Sequence, residues 1–345
     1  MKAVQLTAIR RLEIAELPKP QIENDDEVLV RVKAVGVCGS DVHYYAQGRI
    51  GTNKVQFPYR IGHECSGIVE QTGSKVTRVK VGDEVTVNPA QSCGRCEQCR
   101  MGRENTCRNL KFLGTPGEGP GCLCEYIIMP QSSLFDVTGK MTLETAVLCE
   151  PFTIGLYAVQ QAGIKNGNTV AIFGAGPIGL SCMVAAKTAG AARIYVTEKI
   201  SARIKAAKEH GAVWAGNPDE QDVAGAILSQ EPNGVDVALE CAGQQNTLDE
   251  AVSVLRPGGV LALVGIPVFE KFSFSAEAIR RKEITIVNIR RQNRCDEKAI
   301  KLITSGRVKI DFMLTHRFEL AEICKAFEIV ESYRDGVIKA VIELS

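Results

Sequence analysis

Residues Thr169–Leu180 read TVAIFGAGPIGL and place a glycine-rich turn between an apolar run and a helical pattern. The run TVAIF predicts a buried strand, and Pro177 suits the first turn of a helix. Between them, Gly174, Gly176 and Gly179 complete the pattern G-x-G-x-x-G. A strand, this turn and a helix, in that order, form a binding site for a dinucleotide. The alternative, a glycine turn in an α/β domain that binds no nucleotide, stays open on this pattern alone.

Each glycine of the turn has a separate physical task. The first permits the tight turn, the second lets a pyrophosphate approach the backbone, and the third lets the helix pack on the strand. Pro177 and Ile178 open the helix, whose N-terminus would face the phosphates. We therefore predict that these five residues bind the cofactor.

The next predicted strand ends at Glu198, nineteen residues after Gly179. A carboxylate at this place accepts hydrogen bonds from the ribose 2′-hydroxyl and repels a 2′-phosphate, which favours NAD over NADP. Lys199 and Arg203 lie close by in sequence and weaken that preference. Glu198 and Arg203 are included among the predicted cofactor-binding residues.

The pattern around this turn continues in both directions along the chain. From about residue 150, strand-like runs such as RIYVTE, VDVALECAG and GVLALVGI alternate with helical runs, which predicts a parallel sheet. Up to about residue 130, short β-like runs such as EVLVRVKAVGV and SGIVEQTG predict a barrel-like all-β unit. The 345 residues exceed the size of one hydrophobic core. We predict an α/β protein of two domains, with a boundary near the sequence EPFTIGL.

The composition is that of a globular protein, with 45% hydrophobic residues, 23% charged residues and a net charge of +1. No basic block or long apolar segment favours nucleic acid or a membrane as a partner. The N-terminus has no secretory pattern, so we predict a cytoplasmic location. Disulfides do not persist in that compartment, and the thirteen cysteines need another explanation.

Four of these cysteines form a compact motif in the stretch SCGRCEQC and shortly after it. They are Cys93, Cys96, Cys99 and Cys107. A Cys-x2-Cys step brings two sulfurs to one metal, and four thiolates enclose a zinc ion tetrahedrally. Four unrelated surface thiols would be exposed to oxidation. We therefore predict a structural zinc that clips a long loop and leaves no position for a substrate.

Candidate ligands for a second zinc lie in the stretches VCGSDVHYY and IGHECSG. Cys38, His63 and Glu64 carry donor atoms that zinc accepts, and a catalytic zinc keeps three protein ligands and one exchangeable position. Sequence spacing alone does not bring Cys38 to His63. From the residues alone, a turn with a surface carboxylate at His63-Glu64 stays an open alternative.

The motifs GVCGSDVHYY, GHECSGIV, VGDEV, CGRCEQC, CEPFTIGLYA, FGAGPIGL and LTHRF together resemble the zinc-dependent medium-chain dehydrogenases. Within that family the chain is most similar to the sorbitol and xylitol (polyol) dehydrogenases. The resemblance implies a GroES-like β-barrel catalytic domain at residues 1–150 and an NAD-binding Rossmann domain at 151–290. It also implies a C-terminal return to the catalytic domain at 291–345.

The resemblance extends to the ligands of the catalytic zinc. Cys38 and His63 match ligands that the family shares, and Glu64 matches the carboxylate that polyol dehydrogenases use. Glu150, in CEPF, matches a further glutamate that binds the zinc or its water, although Cys149 is adjacent. Each subunit is then expected to hold NAD and two zinc ions, one catalytic and one structural.

Ser40 and His43 match the family's proton-relay positions and are the predicted catalytic residues. The implied mechanism has zinc bind the substrate hydroxyl as a Lewis acid and lower its pKa. Ser40 takes the proton and passes it, through the nicotinamide ribose, to His43 and bulk water. Hydride passes from the carbinol carbon to the nicotinamide.

The substrate residues are less specific. Tyr44 and Phe112 match positions that line the polyol site, and ordinary packing is the alternative for both. Arg290 matches a substrate-contacting arginine, and Arg291 and Arg294 follow it, so the cluster either suits an anionic substrate group or forms a solvated charged face.

The resemblance implies oxidation of a secondary hydroxyl of a polyol to a ketose. An L-threonine-type, sugar-phosphate or sugar-acid dehydrogenase is the alternative, although threonine enzymes have Asp-Pro where this chain has CEPF. A non-enzymatic relative would not need to keep both a metal site and a relay. Relatives form homodimers or homotetramers, for which GVLALVGI is expected to supply an edge strand.

Overall fold

The computed structural model describes residues 1–344, which form two compact units. Unit 1 holds Met1–Glu150, Asp296–Ser305 and the described residues from Leu314 onward. Unit 2 holds Pro151–Cys295 and Gly306–Met313. The domain limits of 1–150, 151–290 and 291–345 stay a prediction, and the units differ from them at 291–295 and 306–313, which belong to unit 2.

Unit 1 is built mainly from strands. Its first elements are β1 (Lys2–Ala8), β2 (Arg11–Glu16), β3 (Glu27–Gly36), α1 (Gly39–Gln47), β4 (Arg49–Ile50), β5 (Asn53–Lys54), β6 (Glu64–Thr72), β7 (Glu84–Val87), β8 (Ala90–Gln91), α2 (Glu97–Arg100), β9 (Lys111–Phe112), β10 (Tyr126–Pro130), β11 (Leu134–Asp136) and α3 (Leu143–Val147). Helix α4 (Cys149–Gln161) begins in unit 1 and continues into unit 2.

Unit 2 alternates strands with helices. Its elements are β12 (Thr169–Phe173), α5 (Pro177–Thr188), β13 (Arg193–Thr197), α6 (Ser201–His210), β14 (Trp214–Gly216), α7 (Val223–Gln230), β15 (Val235–Glu240), α8 (Gln245–Val254), β16 (Leu255–Leu263), α9 (Ala276–Arg281) and β17 (Thr285–Asn288). The chain then completes unit 1 with α10 (Asp296–Thr304), β18 (Leu314–Glu319), α11 (Ile323–Glu331) and β19 (Lys339–Glu343).

The main sheet of unit 1 has seven strands in the order β11-β7-β6-β3-β19-β18, with β10 also paired to β3. Strand β3 is central because its sequence EVLVRVKAVG buries seven of its ten residues. A β-branched run of this kind suits a strand that is covered on both faces. β19, from the end of the chain, pairs with β3 and so completes the sheet next to the middle of unit 1.

Unit 2 has a six-stranded sheet in the order β14-β13-β12-β15-β16-β17, and every pairing in it is parallel. This arrangement confirms the predicted α/β class and the parallel sheet. The expectation for GVLALVGI is wrong, because most of this run lies in β16, which is hydrogen-bonded on both sides to β15 and β17. The edge strand on that side of the sheet is β17.

The turn between β12 and α5 has the conformation that its glycines predict. Gly174 has a φ of +96°, in the region that favours glycine. A Cβ atom at Gly179 would lie 1.9 Å from the Gly174 carbonyl oxygen, so only glycine allows this helix to sit so close to the strand. Gly176 caps α5, and Pro177 is the first residue of the helix.

None of the helices in the described part of the chain is both long and apolar enough to cross a bilayer.

Candidate functional site

Strand pairing in unit 1 brings together residues that are distant in sequence. β3 and β6 are antiparallel, and Gly36 at the end of β3 pairs with Glu64 at the start of β6. Cys38 follows β3 by two residues, and His63 precedes β6 by one. The register therefore supplies the convergence of Cys38 and His63 that sequence spacing alone did not predict.

Cys38, His63 and Glu64 each place one donor atom in a group whose members all lie within 4.8 Å of one another. Tetrahedral zinc, with bonds of about 2.0 to 2.3 Å, separates its ligand atoms by roughly 3.5 Å. His63 and Glu64 are buried, and Cys38 is half-buried. A thiol, an imidazole and a carboxylate fit zinc and leave one coordination position for another group.

Asp41 organises this group, and the sequence analysis missed it. Its Oδ1 lies 3.4 Å from His63 Nδ1 and accepts a hydrogen bond from the Gly62 backbone N–H at 3.0 Å. Its Oδ2 lies 3.4 Å from the backbone nitrogen of Cys38. Because Nδ1 faces Asp41, Nε2 is the imidazole nitrogen left for a metal.

The pKa of His63 reflects these neighbours. Burial acts to lower it, but the charges of Asp41 and then Cys38 outweigh burial and raise the pKa well above its ordinary value. A metal that binds His63 must displace the proton that these groups stabilise.

Lys339 is the second functional residue that the sequence analysis missed. It begins β19, is 1% exposed, and donates hydrogen bonds to both carboxylate oxygens of Glu64 at 2.7 and 2.6 Å. Burial acts to lower the pKa of Lys339, whereas Glu64 and then Cys38 raise it, and the net direction is upward. The ammonium is therefore charged inside unit 1.

Glu150 lies outside the 4.8 Å group, although it is buried in the first turn of α4. Burial raises its pKa to about 7, His63 lowers it and Glu64 raises it, so the charges of both candidate ligands act on it. The neighbouring Cys149 has its sulfur 3.8 Å from Met141 Sδ, and burial raises its pKa to about 12. Glu150, rather than Cys149, is the residue that interacts with the group, and its ligand role stays a prediction.

The two predicted relay residues lie on α1, which starts at the metal group. The Ser40 hydroxyl lies 3.3 Å from the Cys38 sulfur. His43 is three residues further along the helix and therefore on the same side. It is half-buried, and burial lowers its pKa below the ordinary value, so its imidazole is neutral near pH 7.

The predicted substrate residues are divided between the two units. Tyr44 belongs to the hydrophobic core of unit 1, as the packing alternative expects. Phe112 is buried with its ring 5.4 Å from the His63 ring. Arg290 lies in unit 2, exposed, in the segment that follows β17, and Arg291 and Arg294 in the same segment have φ values of +55° and +54°.

The four-cysteine motif forms a second candidate metal site. The sulfur atoms of its four cysteines all lie within 4.8 Å of one another; these are Cys93, Cys96, Cys99 and Cys107. The Cys96 sulfur lies 3.5 Å from that of Cys99 and 3.9 Å from that of Cys107. Backbone N–H groups of Arg95 and Cys96 lower the pKa of Cys93 to about 6. Amides that stabilise a thiolate, and four sulfurs within 4.8 Å of one another, fit a structural zinc.

The glycine turn of unit 2 has the shape that a pyrophosphate requires. A Cβ atom at Gly176 would meet only Arg203 Nη1, at 3.7 Å, so the space above this residue is open. The N-terminus of α5 lies at the same place. These residues fit the dinucleotide, because helix N–H groups and an open glycine suit phosphate oxygens.

Glu198 is fixed by backbone N–H donors. Its Oε2 accepts from Ala175 in the glycine turn at 2.8 Å, and its Oε1 accepts from Lys199 and Ile200 at 2.8 and 3.1 Å. The Lys199 side chain pairs with Asp219 at 2.8 Å. Arg203 is 6% exposed. Its guanidinium is the group that a side chain at Gly176 would meet.

Comparison with known proteins places the chain in one family. Residues 24–139 match the family model "Alcohol dehydrogenase GroES-like domain", and residues 177–305 match "Zinc-binding dehydrogenase". The chain is 40% identical to sorbitol dehydrogenase of Bacillus subtilis (strain 168), which covers 99% of this chain and 97% of that one. L-idonate 5-dehydrogenase of Vitis vinifera is 36% identical, with 99% and 94% covered. D-xylulose reductase A of Aspergillus niger is 34% identical, with 95% and 92% covered.

Solved structures agree with the sequence relatives. A zinc-binding dehydrogenase of Sinorhizobium meliloti 1021, bound to NADP, is 31% identical, with a TM-score of 0.90 and 99% of each chain covered. Galactitol-1-phosphate dehydrogenase of Escherichia coli is 27% identical, with a TM-score of 0.90 and 100% of each chain covered.

The fold, the two candidate zinc sites and the glycine turn define a zinc-dependent, dinucleotide-dependent dehydrogenase. The chain belongs to the zinc-binding alcohol dehydrogenase family with a GroES-like and a Rossmann-type domain, and its relatives include a sorbitol dehydrogenase and a D-xylulose reductase. The predicted family, fold class, enzyme activity and cofactor classes are confirmed. The site residues stay predictions.

Two signals in the sequence favoured the missed residues. Asp41 is the third residue after Cys38, where a carboxylate bonds to the backbone at the start of a helix. Lys339 interrupts the apolar run GVIKAVIEL, where a charge needs a partner if the run is buried. Neither signal identifies the partner, because the pairing depends on the sheet order.

Replacement of Asp41 by Asn is expected to weaken zinc binding by about 10- to 100-fold, because His63 loses the carboxylate that orients its ring. Competition against a metal chelator measures this change. Asp25→Asn, at an exposed ion pair with Lys75 in the same unit, is the matched control and should leave zinc affinity unchanged. Equal affinity in the two variants would contradict the orienting role.

Gly176→Ala and Gly179→Ala are expected to differ in kind. The first should keep the melting temperature but lose NAD affinity, because its methyl group fills open space that the pyrophosphate needs. The second should lose about 2 kcal/mol or more of stability, because its methyl group overlaps the Gly174 carbonyl. Calorimetry of NAD binding and of unfolding separates the two, and a normal affinity in Gly176→Ala would refute the phosphate site.

Proposed function

We propose that this enzyme oxidises a secondary hydroxyl of a sugar alcohol, such as sorbitol or xylitol, to a ketose while reducing NAD. The observation that carries the proposal is the buried donor group of Cys38, His63 and Glu64. It offers one thiol, one imidazole and one carboxylate, a ligand set with an open position. The 40% identity to a sorbitol dehydrogenase over nearly the whole chain supports the substrate class.

Cys38, His63 and Glu64 would hold the catalytic zinc, with Glu150 close enough to act on the group by its charge. Bound there, zinc supplies Lewis acidity that lowers the pKa of a substrate hydroxyl. Cys93, Cys96, Cys99 and Cys107 would hold the second, structural zinc.

The chain's own residues move the proton. Ser40 lies against Cys38 at the start of α1, where it can accept the proton of the substrate hydroxyl. His43, neutral because burial lowers its pKa, accepts that proton in turn and passes it toward solvent. Asp41, between them in sequence, keeps the His63 ring in place.

The dinucleotide binds through the glycine turn and the N-terminus of α5. Glu198 is held by three backbone N–H donors, and its negative charge at the ribose position favours NAD over NADP. Arg203 lies beside Gly176, where its charge suits the diphosphate.

A sugar-acid substrate is the second candidate. The relative L-idonate 5-dehydrogenase supports it, as do Arg290, Arg291 and Arg294, which suit an anionic substrate group. A threonine-type activity is less favoured, because the chain has CEPF where those enzymes have Asp-Pro.

A homodimer or homotetramer is part of the proposal. β17 is an edge strand of the unit 2 sheet, and such edges pair readily with a second copy. Ile266 and Val268, in the loop that follows β16, are 48% and 57% exposed and offer apolar surface in the same unit. Light scattering of the purified chain tests the assembly.

A cytoplasmic location stays a prediction, which cell fractionation tests.

A substrate panel tests the proposed function. Sorbitol, xylitol, L-idonate, sugar phosphates and L-threonine are each assayed with NAD and with NADP. We expect the highest kcat/KM for a polyol with NAD, and loss of turnover in Cys38→Ala while NAD still binds. A higher kcat/KM for an anionic sugar or an amino acid would replace the polyol assignment, and full activity in Cys38→Ala would refute the zinc site.

His43→Gln is expected to lower kcat for polyol oxidation at pH 7 on the order of 10- to 100-fold, because the relay loses its base. In the wild type, kcat should fall as the pH drops through the pKa of His43, which lies below its ordinary value because of burial. The variant should lack this fall. His210→Gln is the control, since His210 has a lowered pKa too but lies in unit 2, stacked on Phe312. An unchanged acid limb in His43→Gln would contradict the relay.

A further inference from the structure

The ammonium of Lys339 uses all of its hydrogen-bonding capacity inside unit 1. It donates to Oε1 and Oε2 of Glu64 and, at 3.2 Å, to the Val37 carbonyl oxygen. An ammonium has three donors, and three acceptors surround it. Lys339 and Glu64 are 1% and 0% exposed, so solvent does not screen this pair.

Glu64 contacts one cation, Lys339, and is placed to bind a second, a metal ion. Both of its oxygens contact Lys339, and one of them also belongs to the donor group with Cys38 and His63. A carboxylate has about four lone-pair positions, so the two roles are geometrically compatible. The two interactions compete electrostatically, because the positive ammonium offsets the negative charge with which the Glu64 carboxylate attracts a metal ion.

The charges of the whole cluster favour this arrangement. Besides Glu64, the anionic groups that act on Lys339 are Cys38 and Glu150. The ammonium offsets part of the negative charge that Glu64, Cys38 and Glu150 place around it, and Asp41 is a further buried acidic group in the same cluster. Buried charge without such balance is strongly unfavourable.

We propose that Lys339 is a positioning residue that shares the Glu64 carboxylate with zinc and limits how strongly Glu64 binds the metal. Held by Lys339 through both oxygens, Glu64 would give less negative charge to a bound zinc ion, which would then be a stronger Lewis acid than beside an unpaired Glu64. The inference rests on the proposed function in one respect, that Cys38, His63 and Glu64 hold zinc.

The test measures zinc, without substrate. Zinc release from the full chain to a chelator is followed in the wild type and in Lys339→Met, and Cys38→Ser identifies the phase that belongs to this site. We expect release from Lys339→Met to be slower, because Glu64 would then face zinc without a competing ammonium. We also expect a lower melting temperature after zinc removal, because Glu64 is left buried without a counter-charge. Release that is unchanged or faster would overturn the inference.

Matched variants separate charge sharing from simple packing. Lys339→Arg keeps the charge and should restore release close to the wild-type rate. Lys282→Met removes another partly buried lysine, which bonds only to the Val252 and Ser253 carbonyls in unit 2, and should not change release. If Lys339→Arg behaves like Lys339→Met, the charge is not what matters and the inference fails.

The double variant Glu64→Gln/Lys339→Met covers the case in which Lys339→Met alone does not fold. In the wild-type background, Lys339→Met should lower the free energy of unfolding. In the Glu64→Gln background it should raise it, because Glu64→Gln alone leaves the Lys339 ammonium without a counter-charge. An equal cost in both backgrounds would mean that Lys339 only fills space.

If Cys38→Ser releases the same amount of zinc as the wild type, the zinc site itself fails, and the proposed function fails with it. If zinc is held through Cys38 but does not respond to Lys339, only the present inference fails.

Discussion

The candidate site depends on the neutralisation of charge inside a β-sheet unit. Glu64, Lys339, His63 and Asp41 are all nearly inaccessible to solvent and lie within one connected set of contacts. An isolated charge at such a depth costs several kcal/mol or more, so each group needs a partner of opposite sign or a metal. The fold meets this requirement by pairing Glu64 with Lys339 and His63 with Asp41. Donor atoms suited to a cation therefore stay fixed in place.

The strand order of unit 1 makes these pairings possible. β3 lies between β6, which begins with Glu64, and β19, which begins with Lys339. Gly36, at the end of β3, leaves room for the Glu64 side chain, because a Cβ atom there would overlap Glu64 Oε2. Residues from three distant parts of the sequence thus meet at one end of three neighbouring strands. The last strand of the chain is therefore part of the site, and it is needed for more than the stability of the sheet.

The sequence predicted best where function depends on local spacing. The glycine turn and the Cys-x2-Cys steps are short patterns whose geometry follows from a few consecutive residues, and both appear in the structure as expected. The resemblance to a family identified Cys38, His63 and Glu64, whose convergence depends on the β3 and β6 register. Lys339 and Asp41 were missed because their roles depend on partners that only the folded sheet supplies. The edge strand was misplaced for a similar reason, since apolar content does not distinguish β16, inside the sheet, from β17 at its border.

The two candidate zinc sites differ in the way their surroundings stabilise anionic donors. In the four-cysteine group, backbone N–H groups lower the pKa of Cys93, and a short loop supplies every sulfur, so the site is closed by local structure. In the other group the ligands are mixed, and their charges are balanced by side chains from other strands, with Asp41 on one side and Lys339 on the other. Four thiolates saturate a metal, whereas three mixed donors leave it able to bind an oxygen ligand. The same ion can then fix a loop in one place and activate a hydroxyl in the other, because the fold decides how many donors reach it and what charge surrounds them.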